Sequence, residues 1–161
     1  MATSKLLGDW SKAGIVLKKL PASISPMAHA RLYAQGEEVA KRMVEHIELQ
    51  DLRWQPLSRV TIERKGDSKI YVDTGWLKEN LSVRRIATKP LRSTIFIGAS
   101  PWKTHKPSGR KFSDLMVMLE YGTDEIPARP LIRPTWEEVR KELEKDWKNF
   151  MKDLVKTGGW T

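Results

Sequence analysis

Three prolines, Pro127, Pro130 and Pro134, stiffen the segment 119–134 and separate the body of the chain from a helical pattern that follows. Each proline fixes its own φ and biases the residue before it towards an extended conformation. Gly122 stands where an apolar helical pattern is expected to end. Because a stiff segment loses little entropy when it docks, the pattern suits a connector inside one domain or a fixed contact between subunits.

The pattern after the prolines predicts a long C-terminal helix. Thr135 and Glu138 have the spacing of a capping box, which places the helix start at Thr135. Apolar residues then recur at steps of three and four, namely Trp136, Val139, Leu143, Trp147, Phe150 and Leu154. Such a stripe is more often core than interface, but a helix this long in a small domain can pack on both the core and a neighbour.

The N-terminal part predicts two helices. The first covers residues 6–20 and ends at Pro21, and we interpret residues 1–24 as an arm that docks on a neighbouring subunit. The second begins at Ser25-Pro26 and runs to about residue 50, with a face of small residues that lets another element approach closely. Its two histidines, His29 and His46, are too far apart to share a ligand and are interpreted as surface or interface residues.

The middle of the chain predicts a small antiparallel sheet. Residues 82–87 and 93–99 read as two strands joined by a short loop, because the second is rich in β-branched and aromatic residues. The segment 127–132 is a candidate third strand. The expected fold class is therefore α+β, with residues 25–161 forming one domain in which a small antiparallel sheet packs against long N- and C-terminal helices.

The net charge of +9 is concentrated in one region of the sequence. Between positions 78 and 111 there are nine basic residues and a single acid, Glu79. The predicted basic patch comprises Arg84, Arg85, Lys89, Arg92, Lys103, Lys106, Arg110 and Lys111. Such a patch can meet phosphates or an acidic protein surface, and it can also be a solvated sheet edge with a mobile loop at 100–111.

The residue types that catalysis and metal binding need are scarce. The chain has no cysteine and three separated histidines, so thiolate chemistry is excluded and no cluster of metal ligands is expected. It has no glycine-rich phosphate loop and no nucleophile elbow. Asp73 reads as a helix cap. We therefore predict no enzymatic activity, no cofactor and no metal, with a carboxylate-only nuclease as the enzymatic alternative that the pattern leaves open.

Two stretches, in order, resemble the tail-completion or head–tail joining proteins of tailed bacteriophages. The downstream stretch is Glu120-Tyr-Gly-Thr123 followed by Ile126-Pro-Ala-Arg-Pro-Leu-Ile-Arg-Pro134 and a charged helix. The upstream stretch is Trp54-Gln-Pro-Leu-Ser58, Thr61, Lys65, Val72-Asp-Thr-Gly-Trp-Leu77 and Asn80-Leu-Ser82. Together they span about half of the chain. Leu131-Ile132 departs from the family pattern, which has an aromatic residue in this pair.

The resemblance implies a structural virion protein that is made in the host bacterial cytoplasm and has no membrane contact. Proteins of this family form rings, commonly six-fold, that join the tail tube to the head connector around the DNA channel. The implied partners are further copies of the chain, the connector or adaptor, the tail terminator, the tail tube and the genomic DNA. Two alternatives stay open: a tail terminator that caps the tube, and a basic nucleic-acid-binding protein.

A ring made by rotation needs two different contact surfaces on every subunit. We predict that the N-terminal arm supplies one of them. The other is predicted to comprise Ile126, Pro127, Arg129, Pro130, Leu131, Arg133, Trp136, Leu143 and Trp147.

Overall fold

The computed structural model describes residues 10–73, 75–89 and 92–157. In chain order its elements are α1 (Trp10–Leu49), α2 (Arg59–Lys65), α3 (Trp76–Glu79), β1 (Leu81–Lys89), β2 (Arg92–Ala99), α4 (Phe112–Tyr121) and α5 (Ile132–Thr157). The fold class is α+β, as predicted, with one two-stranded antiparallel sheet and long helices near both ends of the chain. None of the described helices has the length and apolarity that crossing a bilayer requires.

A single helix, α1, replaces the two predicted N-terminal helices, so the predicted break at Pro21 is wrong. The helix continues through Pro21 and Pro26. An interior proline removes one helical hydrogen bond and crowds the preceding turn, at a cost of about 3 kcal/mol, but its φ is itself a helical value and does not force the chain out of the helix. Residues 1–9 lie outside the described residues, and a role of residues 1–24 as an arm stays a prediction.

The hairpin of β1 and β2 packs one face against α1. The strands pair from Leu81 with Ala99 to Lys89 with Arg92, with an irregularity between Arg85 and Ala87. A Cβ built on Gly36 of α1 would lie 2.6 Å from the Ile95 Cδ1 and 2.9 Å from the Val83 Cγ1. The expected close approach of small helix residues to a neighbouring element is thus confirmed at this glycine.

The segment 127–132 is not a third strand, and within the described residues the sheet has two strands. Residues 127–131 are irregular, and α5 begins at Ile132. Prolines cannot donate to a strand ladder, so the backbone groups of this segment bond elsewhere.

The core lies between α1, the hairpin, α4 and the proline segment. Its buried members are Val39, Met43, Ile47, Ile70, Tyr71, Leu77, Ala99, Phe112, Met116 and Leu131. From α5, Val139 and Leu143 pack against this cluster while remaining partly exposed. The predicted apolar stripe of α5 therefore contributes to the subunit core at these two residues, and Phe150 further along it is also buried.

Charged side chains join α1 to α5, which run antiparallel. Asp146 accepts a hydrogen bond of 2.8 Å from the Arg31 Nε, and an Arg42 Nη2 lies 2.6 Å from Glu138. His46 is 2 % exposed, with Nε2 3.0 Å from Glu138 and Nδ1 2.6 Å from Asp51. The interpretation of His46 as a surface or interface histidine is wrong, because its ring is buried in this contact between α1 and α5, which we call the seam, and lies against two carboxylates.

Candidate assembly surfaces

The N-terminus of α5 is capped by a side chain from another helix. The Glu120 carboxylate of α4 accepts hydrogen bonds from the backbone N–H groups of Leu131 (2.6 Å), Ile132 (2.8 Å) and Arg133 (3.0 Å). A carboxylate is well placed there, because the first N–H groups of a helix lack partners and carry partial positive charge. The predicted cap is wrong: Thr135 lies inside the first turn, and its hydroxyl donates to the Leu131 carbonyl at 2.7 Å.

The proline segment is held by hydrogen bonds from the region upstream. The Trp54 Nε1 donates to the Pro130 carbonyl at 2.6 Å, and the Tyr71 hydroxyl donates to the Arg129 carbonyl at 2.6 Å. In the opposite direction, the Arg129 Nε donates to the Gln55 carbonyl at 2.8 Å and Nη2 to the Pro56 carbonyl at 3.2 Å. We call this set of bonds the clamp.

Burial accounts for the electrostatics of the clamp. Loss of solvation raises the pKa of the Tyr71 hydroxyl and lowers the pKa of the Arg129 guanidinium. The ring of Tyr71 also lies 5.1 Å from that of Trp54, at a tilt of 50°. The clamp is therefore a partly buried site that includes two aromatic rings, and its polar side chains donate hydrogen bonds to backbone carbonyls.

The turn before the proline segment depends on a glycine. Gly122 has φ 77° and ψ 178°, a region that is accessible in practice to glycine alone. A Cβ there would lie 2.8 Å from the Ala128 N and 2.9 Å from the Ile126 O. The Thr123 hydroxyl accepts hydrogen bonds from the N–H groups of Glu125 and Ile126, which closes the turn.

The predicted interface residues fall into three groups by exposure. Arg129 and Leu131 are 5 % and 0 % exposed and their side chains make contacts inside the subunit, while a contact with a neighbour stays a prediction. Partly buried members are Ile126, Pro127, Pro130, Leu143 and Trp147, and the exposed ones are Arg133 and Trp136. A subunit contact through these accessible residues stays a prediction.

Large apolar side chains are exposed around the junction of α4 and α5. Val117 and Tyr121 on α4 are 57 % and 68 % exposed, and Trp136 on α5 is 50 % exposed. Residues four apart on a helix share a face, so Val117 and Tyr121 form a short apolar stripe beside the buried Met116 and Glu120. The sequence pattern did not indicate this stripe, because Leu115, Met118 and Leu119 define another apolar side of the same helix.

The predicted basic patch is spread along the hairpin and a loop. Arg84 stacks over Phe96 at 5.2 Å and Arg85 over Tyr33 of α1 at 5.1 Å, on opposite faces of the sheet. Arg92 is at the hairpin tip, about 23 Å along β2 from its other end at roughly 3.3 Å per residue. The loop that carries the remaining bases follows that far end, namely Lys103, Lys106, Arg110 and Lys111. The Lys89 side chain lies outside the described residues.

Residues 100–111, which we call the Trp102 loop, are held by several hydrogen bonds, while the alternative of a mobile loop stays a prediction. Backbone bonds join His105 N to the Arg110 carbonyl and Gly109 N to the His105 carbonyl, both at 2.8 Å. The His105 ring is 8 % exposed, and its Nδ1 lies 2.8 Å from the Ser108 Oγ and its Nε2 3.2 Å from Asp73. On this fixed base, Trp102 is 80 % exposed.

Ser108, His105 and Asp73 have the residue types of a hydrolase triad in a different arrangement. In such triads the carboxylate holds Nδ1 and the serine bonds to Nε2, whereas here the two are exchanged. Ser108 also lies three residues from His105 in the same turn, and its Oγ accepts from the Arg110 N–H at 3.4 Å. We interpret these two contacts of His105 as the link that fixes the Trp102 loop to the segment at Asp73, and we call them the His105 tie.

The described residues line at least two surface grooves. The first, of about 710 Å³, is bordered by α2, α4 and the Trp102 loop. The second, of about 580 Å³, lies between α1 and α5 and is called the α1–α5 groove. Its apolar lining consists of Ala34, Val39, Val139 and Leu143, and its acids are Glu38, Glu138, Glu142 and Asp146.

Comparison of the chain with protein-family models, with curated proteins and with solved structures yields no match in any of the three. Within the described ranges, no group of three or more His, Asp or Glu side chains is placed to hold a metal ion. Function is therefore inferred from the residues and their geometry.

Proposed function

We propose that this chain is a structural protein of the neck of a tailed bacteriophage, where it forms a ring that joins the tail tube to the head connector. The observation that supports this most is the clamp. The two stretches that resemble the neck family contact each other directly, Trp54 with Pro130 and Arg129 with Gln55. Because the two stretches contact each other in the fold, they support the resemblance together, as one structural unit, more strongly than two unconnected matches would.

The arrangement of the subunit suits assembly. The clamp and the Glu120 cap fix the position of α5 against the core, while Tyr121 and Trp136 expose large aromatic rings nearby. Rigid aromatic anchors contribute much of the energy of protein interfaces, because little entropy is lost when they are buried. We accordingly propose further copies of the chain and the neighbouring neck and tail proteins as its partners, and the virion as its location.

A second candidate, a nucleic-acid-binding protein, is favoured by the Trp102 loop. An exposed tryptophan among Lys103, Lys106 and Arg110 has the composition of a surface on which bases stack beside neutralised phosphates. Binding of this kind weakens steeply as salt is added, because it releases counterions from the phosphates. A ring held by apolar contacts should withstand the same salt.

Light scattering of the purified protein at low and at high salt, followed by electron microscopy of any large species, tests the proposal. A salt-resistant species of six or twelve times the 18.5 kDa subunit mass is expected, with an axial hole wide enough for duplex DNA. A monomer that binds DNA with a steep salt dependence would contradict the ring and favour the second candidate. If a ring forms, its position in the virion would distinguish a neck protein from a protein that terminates the tail tube.

A further inference from the structure

The Trp102 loop is a preformed projection that combines one aromatic anchor with uncompensated positive charge. Residues 100–111 contain no acid. Lys103 and Lys111 are exposed, and neither side chain has a hydrogen bond or ion pair within the described part of the chain. Because the His105 tie already orders the backbone, the loop pays little entropy on docking.

The α1–α5 groove has the opposite character. Its two bases are already engaged, Arg31 with Asp146 and Arg42 with Glu138 and Glu45. Glu38 and Glu142 are exposed at the same groove and make no ion pair with any described residue. The groove therefore offers an apolar floor with two uncompensated carboxylates.

Within one subunit, the Trp102 loop lies away from the α1–α5 groove. His105 and Phe112 anchor the Trp102 loop beside α4, their rings 5.8 Å apart, and four residues of the loop line the first groove. No residue of the loop lines the α1–α5 groove. The two complementary surfaces therefore belong to different faces of the subunit.

We infer that the Trp102 loop of one subunit docks in the α1–α5 groove of a second copy of this chain. Trp102 contacts the apolar floor formed by Val139 and Leu143, while Lys103 and Lys111 face Glu38 and Glu142. The inference rests on the proposed ring function and names the surfaces that would build it. Because loop and groove differ, the contact is heterologous and repeats from subunit to subunit until rotation closes it.

Two variants that each remove one surface test the contact. Trp102→Ala removes the anchor, and Glu38→Lys with Glu142→Lys reverses the charge of the groove; each is expected to weaken association about tenfold or more. The matched controls are Val60→Ala, which truncates another exposed apolar side chain, and Glu144→Lys, an exposed α5 position outside the groove. Circular dichroism and thermal unfolding show whether each variant retains the fold.

Mixing the two variants gives the sharper result. Each retains one working surface, so a mixture is expected to form heterodimers of twice the subunit mass and no ring. Reversing Lys103 and Lys111 to Glu in the groove variant is expected to restore the wild-type mass, because the charges again oppose each other.

The outcomes separate this contact from the ring function. Rings that persist in both variants would overturn the contact and leave the ring standing on other surfaces. A wild-type monomer throughout the concentration range would overturn self-docking, and the neck function would then depend on partner proteins. Loss of duplex DNA binding in Trp102→Ala, with an unchanged mass, would assign the loop to nucleic acid instead.

Discussion

The indole N–H of Trp54 donates a hydrogen bond of 2.6 Å to the carbonyl of Pro130, 76 residues further along the chain. This bond ties the region after α1 to the segment that leads into α5. Since Pro130 has no N–H of its own, its carbonyl is the backbone group through which it can be held.

Replacing Trp54 with Phe should reduce stability by about 1 kcal/mol or more, because the partly buried Pro130 carbonyl loses its donor and the smaller phenyl ring packs less fully against the core. Urea unfolding followed by circular dichroism measures the change. Trp102→Phe is the control, since Trp102 is 80 % exposed and should leave the unfolding midpoint unchanged. Equal effects of the two substitutions would contradict the importance of the bond.

Replacing Glu120 with Gln should cost about 2 kcal/mol or more, because the carboxylate accepts from three N–H groups at a helix N-terminus. The amide can accept with its oxygen alone, and its NH₂ group faces donors. Glu137→Gln removes an exposed carboxylate near the same helix start and should change stability by less than about 0.5 kcal/mol. Hydrogen exchange at Leu131, Ile132 and Arg133 should quicken in the Glu120 variant and not in the control.

Replacing Gly122 with Ala should destabilise the fold by about 3 kcal/mol or more, since it combines a strained φ with a clash against backbone atoms. Gly66 is the control for a positive φ without a clash: its φ is 75° with ψ 6°, the ordinary left-handed region, and a Cβ there would meet nothing within 4 Å. Gly66→Ala should therefore show the conformational cost alone, about 1 kcal/mol. Similar thermal midpoints for both variants would contradict the close approach at Gly122.

The seam between α1 and α5 should make stability depend on pH in the acid range. The hydrogen bond from Arg31 lowers the pKa of Asp146, and that from His46 lowers the pKa of Asp51. A carboxylate with a lowered folded-state pKa stabilises the fold fully above its unfolded pKa, about 4, and loses this contribution as pH falls through the folded value.

The Asp146→Asn variant should accordingly be less stable than the wild type at neutral pH, and the difference should shrink below about pH 4. Urea unfolding across this range measures it. Asp124→Asn, at an exposed position with no ion pair to a described residue, serves as the control. A difference that stays constant from neutral to acid pH would show that the Arg31–Asp146 pair is not responsible.

The sequence predicted those elements whose signals are local and periodic. Each of these signals lies within one element. They are the β-branched run in β2, the small residues of α1 near Gly36 and the apolar stripe of α5, and the structure contains all three elements. The burial of Val139 and Leu143 also agrees with the interpretation of the stripe as core along part of its length.

Long-range and competing signals produced the errors. Capping rules consider the nearest hydroxyl and therefore chose Thr135, whereas the true cap, Glu120, precedes the Leu131 N–H by 11 residues. The rule that proline ends a helix predicted a break at Pro21, but α1 continues through this residue. The sequence does not indicate that His105 contacts Asp73, because no periodic pattern connects a loop with a distant segment.

The clamp and the cap also limit how the length of the chain can vary. Surface loops are normally where insertions and deletions are tolerated. Between Glu120 and Leu131, however, the chain must complete the Gly122 turn, present the Arg129 side chain to Gln55 and return to the Glu120 carboxylate. One added or missing residue would put these contacts out of step, so tags and labels belong elsewhere, at exposed sites such as the turn after Lys65.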